Sequence, residues 1–249
     1  GLSELPWLYS HLTGRLYRIG RLQFRKSLFS GDVRVFRNKS EKKFVIFPEP
    51  GQRYRGDGLP DGTNQVYDTD GVWVSERKTH DRVIYSNGIL ENGYAVKGDR
   101  ILSTAEWEPV LSKGDPILEV HIPAGSRLEW QECRESFLRG IRFYKTYFPE
   151  SRIAAFCCDS WLLEPQFQEI LSPDSNIVRF QEWFHLYPIP GDETPFLDRV
   201  FGYGPEDMPD NYRDLPRSTS LQRAVADHLL SGKRLHPAAG VLFPEEVSD

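Results

Sequence analysis

The stretch PILEVHIPAGSRLEWQECRESFLRGIRFYKTYFPESRIAAFCCDSW, residues 116–161, decides the fold. PILEVHIP reads as a strand, and RIAAFCC reads as a second one. Between them, residues 129–148 set Trp130, Cys133, Phe137, Ile141, Tyr144 and Phe148 on one helical face. Ser126 stands three residues before Glu129, a capping-box spacing that predicts the helix start there. A strand-helix-strand crossover of this length makes the two strands parallel. The apolar run Ile153–Cys158 suits a strand covered on both faces.

Toward the N-terminus, Leu5, Leu8, Leu12, Leu16 and Ile19 recur at spacings of three and four, which predicts a helix over 5–19 with Gly20 as its stop. From Arg21 to about Leu111 the chain breaks into short β-prone runs separated by turn residues, a β-meander. Its Gly/Pro/Asp-rich segment 51–71 lacks a periodic apolar set and is expected to be a mobile loop. Beyond residue 161, EPQFQEIL predicts a short helix, NIVRFQEWFHLY a strand, and 220–230 an amphipathic helix ended by Gly232. GVLF predicts a last strand.

With 249 residues, 39% of them hydrophobic and 27% charged, the chain can bury a sizeable core, and disorder is excluded as its main state. No apolar run approaches the roughly 18 residues of a spanning helix, so no membrane partner is expected. Three cysteines, two of them adjacent, make no disulfide framework and point to a reducing, cytoplasmic setting. Residues 1–55 hold 12 Lys+Arg against 4 Asp+Glu, or +8, which leaves −13 of the −5 total to the remainder. This portion is either a surface for a polyanion, such as a phosphopantetheine carrier, or simply a solvated face. Nucleic acid is not expected, because neither a helix-turn-helix nor a metal-finger pattern accompanies the charge.

Ligands of open α/β sheets bind beyond the carboxyl ends of parallel strands, where HIPAGSR (121–127) and CCDSW (157–161) meet. Alternation puts Glu119 and His121 on one face, about 6.5–7 Å apart along the strand. His121 could accept a proton near neutral pH, and Glu119 could if burial raised it. Cys158 and Ser160 share a face if the strand persists, with Asp159 and Trp161 completing the mouth. Cys158 would need a base to act as a nucleophile, and is otherwise a small buried hydrophobe. No metal-ligand spacing, C-x-x-C, G-x-S-x-G or P-loop pattern occurs, so no metal is expected.

HLTGRLYRIGRLQF (11–24), VHIPAG (120–125), CRESFLRGIRFYKTYFPE (133–150), CDSWLLEPQFQEIL (158–171), SPDSNIVRFQEWFHLYP (172–188) and LPRSTSLQRAVADHLLSGK (215–233) together resemble the bacterial acyltransferase-domain proteins with a GNAT-like C-terminal domain. The likeness covers 5–28 and 116–243, and C-x-SWLL and DSNIVRFQ are its most specific pieces. It implies an α+β fold, a GNAT-like mixed sheet with a central β-α-β unit, formed by 1–28 and 116–249 and carrying a long β-rich insertion at 29–115. It also implies an N-acyltransferase that passes an acyl group from acyl-CoA or acyl-phosphopantetheine, free or on an acyl carrier protein, to an amine acceptor. A non-catalytic module that binds an acylated carrier or a protein partner is the alternative.

In the enzymatic reading His121, or Glu119 through water, removes the amine proton. Ser160 or Cys158 protonates the departing thiolate, and backbone N–H groups near Ile122 hold the oxyanion. Gly125, Ser126 and Arg127 at the helix start bind the donor, and Asp159 and Trp161 line the acceptor side. The chain departs from the family in lacking the R/Q-x-x-G-x-G/A phosphate loop and in carrying Asp159 where many relatives have His. The 29–115 stretch is expected to have no counterpart in relatives, and a helical region is expected ahead of this chain.

Overall fold

The structure, a computed structural model, describes residues 9, 12–204 and 211–247. Two sheets carry the fold. Among the described residues the strands run in chain order as β1 (Leu16–Ile19), β2 (Leu22–Leu28), β3 (Val33–Asn38), β4 (Phe44–Pro48), β5 (Arg53–Tyr54), β6 (Trp73–Val74), β7 (Arg77–His80), β8 (Val83–Ile89), β9 (Ala95–Ser103), β10 (Trp107–Leu111), β11 (Pro116–His121), β12 (Ala155–Asp159), β13 (His185–Pro188) and β14 (Ala238–Leu242). The first sheet has the order β1-β2-β11-β12-β14-β13, and the second β10-β3-β4-β8-β7 with β9 on β8. The helices are α1 (Trp130–Tyr147), α2 (Phe167–Ile170), α3 (Asn176–Gln181), α4 (Thr194–Phe201), α5 (Ser220–Leu230) and α6 (Pro244–Val247).

The β-α-β unit stands as its sequence implies, with β11 and β12 adjacent, parallel and joined through α1. Alternation decides what each strand face buries. Leu22, Phe24, Leu118, Val120, Phe156 and Cys158 lie on one face and pack with Cys133, Phe137 and Tyr144 of α1. Ile117, Ala155, Cys157, Ala239 and Val241 lie on the other and pack with Val33, Val35, Ile46, Ile89 and Leu111 of the second sheet. Tyr144 adds a hydrogen bond from its hydroxyl to the Phe24 carbonyl at 3.1 Å, which pins α1 to β2. At Gly240, opposite Cys158, a Cβ would stand 2.7 Å from Phe184 Cβ, so only glycine lets that helical layer approach β14.

Four expectations fail. Residues 16–19 are a strand, not the end of a helix, because Gly20 (φ +65°) opens a two-residue hairpin that pairs Ile19 with Leu22. Residues 5–8, 10 and 11 of that expected helix lie outside the described residues. NIVRFQ is helical, capped by the Ser175 hydroxyl, which accepts from the Val178 N–H, and extended structure begins only at His185. The helix α1 starts at Trp130, and the Ser126/Glu129 capping box is absent. The segment 51–71 is tied down: Asn64 is buried, its N–H bonds the Gly191 carbonyl and its Nδ2 donates to the Leu235 carbonyl at 2.8 Å.

The β8–β9 turn reaches the first sheet through a buried polar cluster. Tyr94 Oη lies 2.9 Å from His236 Nε2, which stands 3.4 Å from Glu164 Oε1. Burial raises the Glu164 carboxyl to about 8, although the N–H groups of Gln166 and His236 favour its charged form. Burial also lowers the His236 imidazole to about 4, against a bond to Pro237 and the charge of Asp57. The folded pair therefore keeps one proton between about 4 and about 8, whereas the unfolded chain has lost both above the ordinary histidine value of 6.5. Because the folded state then binds more protons, stability falls as pH rises from 6.5 to about 8, by roughly 1 kcal/mol. Urea unfolding at pH 6.5 and 8 should show this loss in the wild type. The Glu164→Gln variant should lose it, and an equal loss in the variant would assign it to other groups.

Candidate active site

The ladder between β11 and β12 stops at Glu119↔Cys157, two residues short of each strand's end. On their outer sides the same strands stay paired to the end, His121 with Gln23 of β2 and Asp159 with Ala239 of β14. The first sheet thus parts between its two central strands at their carboxyl ends. His121 and Asp159 stand on the two lips, on the face shared with Glu119. Burial, together with the Glu119 charge, raises the Asp159 carboxyl above its ordinary value, and His121 opposes this.

Glu119 is not a free base. Arg25 lies directly opposite it on β2 and donates from Nε to Glu119 Oε2 at 2.7 Å. His121 Nε2 lies 3.5 Å from the same oxygen. Burial raises this carboxyl, but bonds from His121, Ser27 and Arg25, with the Arg25 charge, outweigh it and hold it at about 2. The expectation that burial would turn Glu119 into a base is overturned. It is an acceptor for the groups around it, and the His121 imidazole stands at the lip of the gap.

Cys158 is also displaced from its expected role. It faces α1, not the His121 side, is 1% exposed, and burial drives its thiol far above its ordinary value. Cys157 shares the Glu119 face but is buried, with its thiol raised in the same way. Ser160 lies just past β12, where its Oγ accepts from the Leu162 N–H at 3.3 Å and its own hydrogen remains available to donate. Trp161 is half-buried, its ring edge-on to Phe167 at 6.1 Å and packed against two apolar clusters.

The loop expected to hold phosphate is organised by a residue that sequence reasoning missed. Arg21, 8% exposed at the β1–β2 turn, donates to the carbonyls of Pro123 at 2.8 Å, Ser126 at 2.9 Å and Arg127 at 3.1 Å. Its own N–H bonds Ser136 Oγ at 2.8 Å, on the first half of α1. Glu129 caps α1 without a side-chain bond to the helix, and Glu132 lies in the first turn. Two carboxylates thus already occupy the positive end of the helix dipole. Ile122 packs against the α1-side core, while Gly125, Ser126 and Arg127 are exposed, and Arg127 is the one cation among them. Among the described residues no group of three or more His, Cys, Asp or Glu side chains is gathered for a metal, and no helix is long and apolar enough to cross a membrane.

The model of the family described as GNAT-like C-terminal domain matches residues 16–242. A solved acyltransferase in complex with decanoyl-CoA and teicoplanin superposes with a TM-score of 0.55 at 23% identity, covering 95% of this chain and 49% of that one. An acyltransferase mutant in complex with octanoyl-CoA gives the same figures. This likeness is one of fold, and the chain spans about half the length of the solved acyltransferases it matches. No curated protein matches.

Replacing Arg21 by Met should strip three carbonyls of their donor, at a cost of roughly 2–4 kcal/mol in stability. Hydrogen exchange should then quicken at the amides of 124–128 while α1 stays protected from Phe137 onward. Unchanged exchange in that loop would mean that Arg21 does not organise it.

Proposed function

The chain belongs to the family of GNAT-like C-terminal domains, and from that premise we propose that it is an N-acyltransferase that uses the gap between β11 and β12. The single observation that carries the reading is the early end of the β11–β12 ladder, with an imidazole on one lip. A thioester donor lies with its pantetheine in the gap. An amine attacks the thioester carbonyl, the C–N bond forms and the C–S bond breaks, so an amide and a thiol leave. His121 takes the proton that the amine loses. Backbone N–H groups near Ile122 stabilise the oxyanion, and the departing thiolate takes its proton through the Ser160 hydroxyl, whose hydrogen is replaced by the one His121 removed from the amine. Asp159, with no cation within ion-pair reach among the described residues, faces the incoming amine.

The acyl-CoA complexes of the structural neighbours favour CoA over a carrier protein as the donor's handle. Arg127 and the 122–126 loop contact its phosphates from the surface, because Arg21 turns the loop carbonyls inward and the carboxylates of α1 repel anions. That same feature favours a second reading, a binding module that keeps the fold without turnover. A reducing, cytoplasmic setting fits either reading, since all three cysteines are free and buried.

Mass spectrometry of amides formed from decanoyl-CoA and a library of primary amines separates the readings. The enzyme reading expects products from the wild type and a loss of about 100-fold or more in His121→Ala. Products at an unchanged rate in that variant would remove His121 from the role of base, and no products at all would leave the module. In calorimetry, Arg127→Ala should weaken CoA binding by about two- to five-fold, and the wild-type affinity should fall with added salt, as exposed charge contacts do. Tight, salt-insensitive binding would mean that another loop holds the phosphates.

A further inference from the structure

We propose that Arg25 is a positioning residue for the transfer: from β2 it clamps the Glu119 carboxylate, so that this carboxylate orients the His121 ring while its charge is balanced. The proposal rests on the reading of His121 as the base. The geometry is specific to two paired strands. Arg25 and Glu119 are direct Cα partners in the β2–β11 ladder, and His121 pairs with Gln23 one step further along the same face. The guanidinium Nε, at 2.7 Å, and the imidazole Nε2, at 3.5 Å, converge on the same oxygen, Glu119 Oε2. Ser27, from the next position of β2 on that face, also favours the charged form of the carboxylate.

The clamp has two consequences. Held on the β2 side, the carboxylate has one direction left toward His121, which sets how the ring lies at the lip of the gap. Neutralised by Arg25, it does not pull a proton onto the imidazole with its full charge. The charged groups beside His121 include Glu119 on its own strand, Arg25 across β2 and Asp159 on β12, while Gln23 opposite it is uncharged. With two carboxylates and one guanidinium in this set, removal of Arg25 leaves both negative charges unbalanced beside the ring. The imidazolium is then favoured, and a protonated ring accepts no proton from the amine.

Proton NMR titration of the histidine rings tests this without reference to turnover, with the His121 resonance assigned from its loss in His121→Gln. In Arg25→Gln the His121 midpoint should move to higher pH by about one unit, and Arg25→Lys should return it most of the way to the wild-type position. Glu119→Gln should move it to lower pH, and serves as the reading if Arg25→Gln does not fold. The transfer rate from decanoyl-CoA in Arg25→Gln should fall most at low pH and recover as pH rises. An unmoved midpoint in a folded Arg25→Gln, or an unmoved one in Glu119→Gln, overturns the clamp. Its failure is separable from failure of the functional reading, which would appear as wild-type protein without turnover whatever the titrations show.

Discussion

A parallel pair of strands that stays bonded to its outer neighbours but releases its partner is the constraint on which the rest of this structure depends. β11 and β12 are brought side by side by the α1 crossover, and each is then held to its last residue by a different half of the sheet. The parting of the two strands therefore costs little cohesion, since each half has its own cover. On one face Phe24 and Phe156 pack edge-on against Phe137 of α1, the three ring centroids lying 4.9–5.8 Å apart. The second sheet closes the other face around Val35, Ile46 and Leu111. A sheet with only one cover would leave the Glu119 face in water, where its ion pair with Arg25 would be screened and weak.

The basic excess of residues 1–55 finds its explanation largely inside the molecule. Arg34 pairs with Glu49, Arg37 with Glu108 and Glu245, Arg53 with Asp61 and Asp68, and Arg55 with Asp57. Arg25 takes Glu119, and Arg21 is committed to three carbonyls. The acidic excess of the later chain is partly the counterpart of these cations, drawn together by strand pairing between distant segments. Arg18, within the stretch expected to be helical, lies instead on β1 beside the hairpin turn.

The central unit was legible because its signals are local and redundant. A 3.6-residue stripe over α1, alternation over β11 and a continuous apolar run over β12 agree with one another, and alternation alone correctly put Glu119 with His121. The hairpin at 16–28 was illegible because Leu16 and Ile19 satisfy a helical spacing and a strand equally, and the pairing that decides between them comes from β11, about a hundred residues away. The capping box at Ser126 and Glu129 failed for a similar reason, since the Glu129 carboxylate instead accepts from Asn176 Nδ2 at 3.2 Å. A capping box does form at Thr219 and Gln222, where no distant side chain competes. Likewise Arg25 becomes visible only once β2 is placed against β11, and the burial of Cys158 follows from which face α1 covers. What the sequence hides is thus the set of side-chain roles assigned by long-range strand pairing.

The most direct test of the account is a crystal structure of the chain with a non-hydrolysable decanoyl-CoA analogue. The account predicts the pantetheine between β11 and β12, the carbonyl of the thioester mimic within hydrogen-bond distance of the backbone near Ile122, and the His121 ring facing it with Glu119 still bonded to Arg25. An analogue bound elsewhere, with side chains filling the space between the two strand ends, would contradict it.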